Sequence, residues 1–445
     1  MPSISFPVAE LDKIVAVQRY EERMLFLVLL LRSPDVRVVY VTSSPVDPAV
    51  VDYYLRFLPD PLAARERLAM VDVGDPTVGS LSEKILARPD VLHRLRSLAP
   101  DGGTMLAFIV REAEEQVAAG VGLSLFGAPA RLERLGSKSG SREVAVRSGV
   151  RRVEGAENLF SVDAVAAAIA EIRVRRPSAE AVVIKLNNGF SGQGNAIVEV
   201  DGVSDPLPAS KTTFCAAEES WPTYAAKIEA EGAIVEELLR TEGLQSPSVQ
   251  LRISPGGSVE ILSTHDQILG EPEGQVYLGC RFPAHASYRS AIVAAAARVG
   301  AVLAAEGVIG SFGIDFVVVP DGTVYLSEIN LRLGGTTHPY WMARLATGAT
   351  YDQATGELLA AAGPRSYVAT DNLKSRDLAS LTPADVIDLV DGSGLAFDQA
   401  TGTGVTLHLL GAVPGYGKLG ATCIAEDADA ADVMYRSLVA LLTNR

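Results

Sequence analysis

Apolar positions in the first third of the chain switch between two periods. Residues 10 to 32 carry Leu11, Ile14 and Val15 and then the nearly unbroken apolar run "MLFLVLLL" (Met24–Leu31), which predicts a buried helix. Next comes the β-branched run "VRVVYVTS" (Val36–Ser43), then helix-compatible "PAVVDYYLRFL". "RLAMVDV" (Arg67–Val73) and "TMLAFIV" (Thr104–Val110) repeat the strand pattern, with helical "LSEKILARPDVLHRLRSL" between them. Strands alternating with helices imply a parallel sheet covered on both faces. A doubly wound α/β domain is therefore expected over residues 1–130.

The pattern then changes. "SREVAVRS" reads as a helix closed by Gly149, and "VDAVAAAIAEIRVR" (Val162–Arg175) as a second helix. Short strand-like runs follow, "GAIVEELL", "PSVQLRIS", "SVEILSTHDQIL", "GIDFVVV" and "TVYLSEIN", separated by Gly, Pro or Asp turns. "PDG" (Pro320–Gly322) between the last two predicts a hairpin. This is an α+β region with a mostly antiparallel sheet. From about residue 366, "GLAFDQATGTGVTLHLLGAV", "GKLGATCIAE" and the helix "ADVMYRSLVALL" form a small β-rich unit with one closing helix. Boundaries are expected at 131–232, 233–365 and 366–445 for the units after the first.

Composition narrows the function classes. At 445 residues the chain exceeds one ordinary core. The run Met24–Leu31 is far short of a membrane span, and no signal pattern precedes it. Cys215, Cys280 and Cys423 are far apart and form no CxxC pair, which speaks against a disulfide framework or a structural zinc site and fits a reducing cytoplasm. A net charge of −15 argues against general nucleic-acid binding, because phosphate backbones need a basic face.

Candidate chemistry begins at "VVIKLNNGFSGQGN" (Val182–Asn195), a strand lysine followed by a loop with three glycines. A P-loop places its lysine after the glycines, whereas Lys185 precedes them; a dinucleotide fingerprint opens a helix, whereas "GFSGQGN" leads into the strand-like "AIVEV". What remains is a hairpin whose tip folds over phosphates while Lys185 points at them, or a polar turn of no further meaning.

"GIDFVVVPDGTVYLSEIN" breaks the tie. Glu328 and Asn330 are two apart and share one strand face, and a hairpin turning at Pro320–Gly322 brings Asp315 beside Glu328. Two carboxylates and an amide converging on an apolar sheet repel and lose hydration unless a cation joins them. Hard oxygen donors suit Mg²⁺ or Mn²⁺, with nucleotide phosphates completing the shell. Arg332 extends the same polar row.

Taken together, these residues resemble the ATP-grasp superfamily of carboxylate–amine ligases, from about Leu125 to Gly348. "GSKSGSREVAVRSGV" resembles the segment with the first phosphate-binding lysine, here Lys138, and "VVIKLNNGFSGQGN" the second lysine with its lid loop, Ser191, Gly192, Gln193 and Gly194. "AIVEELL" looks like the interdomain hinge, which implies adenine contacts from Glu236 and from the backbone of Glu237 and Leu239. "GIDFVVV…LSEINLRL" resembles the metal strands, which implies Asp315, Glu328 and Asn330 as ligands with Arg332 at the reacting phosphoryl group. For the ribose carboxylate, Glu242 is the nearest candidate, although the next strand starts at Ser248. The arginine of D-alanine ligase-like members is replaced by Gly313, which leaves Arg332 and Arg252 to neutralise the acyl centre.

The resemblance implies an N-terminal pre-ATP-grasp domain, a core of two α+β subdomains and a closing C-terminal domain. The whole chain is similar to pheganomycin-type peptide ligases. That similarity implies an amino-acid carboxylate donor and a peptide amine acceptor, ATP and Mg²⁺ (or Mn²⁺), a homodimer, and no nucleic-acid or membrane partner. Alternatives are an ATP-grasp enzyme with another acceptor, of carboxylase or acyl-CoA-forming type, and a non-catalytic nucleotide-binding regulator. His265, His338, Trp221, Tyr224 and Arg281 lie near these motifs and are read mainly as structural.

Overall fold

The computed structural model describes the chain apart from residues 7, 13, 100, 190, 191, 201–206, 208–210, 271, 273, 444 and 445, and apart from the side chains of residues 9 and 10. The expected first helix is divided. Val8–Leu11 is one helical turn, Ala16 takes a left-handed conformation (φ 60°), and Val17–Arg32 continues as a 3₁₀ helix. That segment buries residues around most of its circumference, including Met24, Leu25, Phe26, Val28, Leu29 and Leu31. It is enclosed by N-terminal helices on one side and by C-terminal strands on the other, with Leu407, Leu419 and Ala421 in the same core.

The N-terminal strands pair in parallel as the alternation predicts. Val38–Thr42 lies beside Leu68–Asp72, and Thr104–Leu106 beside Ser124–Phe126. These are two separate two-stranded ladders among the described residues. The run expected as a strand to Val110 pairs only through Leu106.

A five-stranded antiparallel sheet follows, in the spatial order Gly155–Leu159, Ala233–Glu237, Ala181–Leu186, Asn195–Glu199 and Thr212–Phe214. Helices Val162–Arg175 and Trp221–Glu231 cover it, with Ile169, Ile172, Tyr224 and Ile228 packed on Val182, Ile184 and Val235. Because Ala233–Glu237 is an inner strand, this sheet runs across the boundary expected at 232/233.

The largest sheet has eleven strands among the described residues. Pro247–Ile253, Val259–Gly270, Gly310–Val318 and Val324–Asn330 form its centre, and Gly363–Lys374 with Lys418–Ala425 extends it. The strand Gly363–Lys374 pairs both with Val276–Phe282 and with Lys418–Ala425, so the sheet also continues across 365/366. Helix Ala286–Ala305 backs this sheet. It is long and apolar enough to cross a membrane by length and composition. Its buried positions Tyr288, Ile292, Ala295, Ala296, Val299, Gly300 and Leu303 form one stripe against the strands, the pattern of a core helix.

Candidate active site

The acidic hairpin forms in the register expected from its turn. Asp315 lies opposite Glu328 and Gly313 opposite Asn330, and Gly322 at the turn has φ 83°. Asn330 Nδ2 donates to one oxygen of Asp315 (2.9 Å), and Gln267 Nε2 donates to the other (2.8 Å). Burial, and then the charge of Glu328, push the Asp315 carboxyl up to about 7. A carboxyl in this state ionises fully when a cation offsets both effects.

Two carboxylates and an amide are a hard donor set that fits Mg²⁺. No group of three His, Cys, Asp or Glu side chains gathers among the described residues. Further oxygens would therefore come from water and from a phosphorylated ligand.

The helix Lys138–Ser148 places the first lysine. Ser137 caps it by accepting from Gly140 N–H (3.0 Å), and Gly149 ends it with φ 63°. Asn187, at the end of the strand that carries Lys185, holds the helix start: its side-chain oxygen accepts from Ser139 N–H (3.0 Å) and Ser139 Oγ (2.7 Å). Lys138 Nζ then donates to Gly189 O (2.9 Å) and to Glu328 Oε1 (3.3 Å), which ties the glycine loop to the acidic hairpin.

Lys185 lies on the inner strand Ala181–Leu186, with Nζ 2.8 Å from Glu236 Oε2. The guanidinium of Arg142, almost wholly buried, pairs with the other oxygen of Glu236 and with Glu157 (3.0 Å). Burial alone would raise the Glu236 carboxyl, but Lys185 and Arg142 together hold it below the usual range.

The glycine loop reaches across the cleft. Gly192 has φ 75°, and a Cβ there would run into Gln275 O, on the hairpin turn of the larger sheet. Asn195 Nδ2 donates to Gln275 Oε1 (3.0 Å), and Tyr224 Oη is within reach of Ile184 O (3.1 Å) and Gly194 O (2.9 Å) at the base of the lid. Ser191 lies outside the described residues. Replacing Gly192 by Ala is expected to push the lid off this seat. A misplacement of about 1 Å can cost on the order of a hundredfold in rate, so ligation should fall by about that factor while ADP release persists. The product-to-ADP ratio measures it.

One cleft of about 850 Å³ is lined by Lys138, Lys185, Gly192, Gln193, Glu236, Glu237, Leu239, Asp315, Glu328, Asn330 and Arg332. The carboxylate of Glu237 is taken by Arg176 (2.9 Å), which leaves its backbone for a ligand. Arg332 stands beside the acidic pair, whose charges oppose the lowering of its pKa by burial.

Two expected residues are not brought there. Arg252 lies four pairs further along its strand than Ser248, at a distance of about 13 Å, and is held by Glu260 Oε2 (Nε 3.0 Å, Nη2 2.5 Å). Glu242 is exposed outside the cleft wall, where Leu244, Gln245 and Ser246 stand instead. Past Leu239 the chain returns to the cleft wall only at Leu244.

The remaining side chains are structural. His265 is buried against Tyr367 Oη (2.7 Å), and burial lowers it to about 3, so its ring is uncharged near neutrality. His338 is buried against Asp371 (2.8 Å). Trp221 and Tyr224 pack with Phe214, and Arg281 pairs with Asp432 (3.1 Å).

Sequence reading passed over Gln267, Arg142 and the cleft walls supplied by Tyr20, Arg23 and Lys418. For Arg142 a signal exists, since it is four residues after Lys138 on the same helix face. The others come from elements distant in sequence.

Comparisons with known proteins bear on the family and the fold. A model described as "IQCH-like, ATP-grasp" matches residues 207–329, and "PGM1 C-terminal domain" matches residues 385–438. L-propargylglycine–L-glutamate ligase of Streptantibioticus cattleyicolor is 32% identical over 97% of this chain and 91% of its own length. Biotin carboxylase of Campylobacter jejuni in complex with a β,γ-ATP compound superposes with a TM-score of 0.61 at 15% identity, over 94% of this chain and 88% of that one. The biotin carboxylase domain of Hydrogenobacter thermophilus 2-oxoglutarate carboxylase, solved with MgADP and bicarbonate, gives 0.57 at 15% identity, over 94% and 87%. At such identity these two structures establish the shared fold alone.

Proposed function

The chain belongs to the ATP-grasp ligase family that includes L-propargylglycine–L-glutamate ligase, and from that premise we propose that it joins the carboxylate of one amino acid, proteinogenic or not, to the amine of another amino acid or a peptide. One observation carries the reading: Lys138 and Lys185 meet Asp315, Glu328 and Asn330 around a single cleft. By the same family reading it acts in the cytoplasm in peptide natural-product biosynthesis, and a homodimer is the expected assembly.

The residues assign themselves to steps. The backbone from Glu237 to Leu239 lines the adenine end, with Glu236 holding Lys185 until nucleotide arrives. Lys138 and Lys185 offset charge on the terminal phosphates. Asp315, Glu328 and Asn330 would hold Mg²⁺ (or Mn²⁺), which supplies charge neutralisation at the phosphoryl oxygens.

The donor carboxylate attacks the γ-phosphorus, the bond to the bridging oxygen breaks, and ADP departs. The amine nitrogen then attacks the acyl carbon, the carbon–oxygen bond to phosphate breaks, and the amine proton is lost. Arg332 faces the charge that develops between these steps. Glycine loop closure keeps water from the acyl phosphate.

A mass-spectrometric screen of amino acids and short peptides with MgATP tests the reading. Condensation products should appear with stoichiometric ADP, and ADP release should require both a carboxylate and an amine. ADP formed with bicarbonate alone, or none with any pair, would refute it.

A further inference from the structure

Gln250, Gly313 and Asn330 stand in one cross-strand row of the large sheet, beside the row of Ser248, Asp315 and Glu328. Neighbouring rows on one face lie about 7 Å apart along the strands. Gly313 carries no side chain, so the first row has a notch between Gln250 and Asn330, whose backbones are two strand spacings, about 10 Å, apart. All three residues line the cleft.

The side chain of Gln250 leans over that notch. The residue is 6% exposed, and a Cβ on Gly313 would meet its Nε2 at 2.7 Å. The amide is oriented from its other end. Thr337 Oγ1 accepts from Gly334 N–H (2.9 Å) and donates its own proton to Gln250 Oε1 (3.5 Å). Nε2, with two protons to give, has no hydrogen-bond partner among the described residues. A nearly buried donor left open toward a cleft costs free energy until a ligand supplies the acceptor.

Position decides which acceptor. Lys138 reaches the acidic row from its far side, bonding Glu328 on Val324–Asn330, whereas Gln250 lies two strands away on Pro247–Ile253. Through Thr337 and Gly334 it is tied instead to the loop that follows Arg332. Gln250 thus adjoins the acyl end of the cleft, and Arg252, expected to serve that end, is held elsewhere by Glu260.

We propose that Gln250 is a catalytic residue whose Nε2 donates, in the notch over Gly313, to the oxygen of the donor carboxylate that does not attack phosphorus. This deepens the ligase reading and rests on it. When the amine adds to the acyl carbon, the carbonyl π pair moves onto this oxygen, and it returns as the carbon–oxygen bond to phosphate breaks; no proton leaves Gln250. A fixed donor aimed where charge develops acts most strongly in the transition state. Gly313 is then required for room, because a side chain there displaces the amide.

Initial rates of the full-length enzyme with MgATP and a donor–amine pair found by the screen test this in Gln250→Met, which keeps the length of the side chain and removes the donor. The value of kcat should fall about a hundred- to a thousandfold, the usual effect of losing one such donor, with KM for ATP and the melting temperature unchanged. Gly313→Ala should lower kcat by pushing the amide aside, and the double variant should be no slower than Gln250→Met alone, the non-additivity of two changes that remove one interaction.

Full activity in Gln250→Met would overturn the assignment. So would a loss carried by a raised KM for ATP, which would put Gln250 on the phosphates, or a loss that tracks a lower melting temperature in both single variants, which would make its role packing. Additive losses in the double variant would overturn it as well. Absence of any condensation product from the unsubstituted enzyme would overturn the ligase reading itself, whereas a working enzyme indifferent to Gln250→Met would overturn only the role of Gln250.

Discussion

Replacing Glu328 by Ala will lower kcat by at least about a thousandfold while the protein stays folded. Charge stabilisation by a bound divalent ion contributes several kcal/mol to such a transition state, and each 1.36 kcal/mol is about a factor of ten. Glu328 is one of only two carboxylates in the donor set, so its loss removes much of the charge that holds the ion. The substitution does not threaten the sheet. Glu328 is one of the charges that raise Asp315, and its removal relieves that repulsion. The substitution also removes the 3.3 Å ion pair of Lys138, so the two effects oppose and the apo melting temperature should change little. Steady-state ADP release and a thermal melt measured together check both halves. Full activity would show that the ion does not sit here.

The second large effect is on stability. Glu236→Ala should destabilise the fold by about 3–5 kcal/mol, the usual result of removing one partner from a buried charge pair. The side chain of Glu236 is 4% exposed, that of Arg142 is 1% exposed, and Lys185 shares the same carboxylate. Without Glu236, Arg142 keeps Glu157 and the carbonyl of Val153 (3.1 Å), but Lys185 loses its 2.8 Å partner inside the cleft. The urea midpoint should drop with little change in slope, because the surface exposed on unfolding is the same. MgATP should recover part of the loss by binding the folded state. An unchanged midpoint would mean that water already compensates these charges.

Much of this architecture can be read along the chain because its signals are local. The turn at Pro320–Gly322 sets the pairing of Asp315 with Glu328, and the two-residue period places Asn330 on the same face. Ser137 and Gly149 bound the helix that presents Lys138. The residues missed belong to long-range packing. Gln267 reaches Asp315 from a strand 48 positions earlier, and Lys418 meets Tyr20 across 398 positions. No periodicity marks such pairs.

Arg252 and Glu242 show the converse error. A residue near a motif in sequence was expected in the site, but Arg252 sits too far along the strand and Glu242 precedes the return of the chain to the cleft wall at Leu244. The first helix departs from α geometry for a related reason. Its apolar run is buried against both ends of the chain, so packing on several sides decides its winding rather than helix propensity.

Every step proposed above needs two lysines and an acidic hairpin to converge on one nucleotide. The most direct measurement is a crystal structure with Mg²⁺ and a non-hydrolysable ATP analogue. The adenine should lie against the backbone of Glu237 to Leu239, the terminal phosphates between Lys138 and Lys185, and metal density on Asp315, Glu328 and Asn330. A nucleotide bound elsewhere, or one in the cleft with these three side chains turned away from any metal, would contradict it.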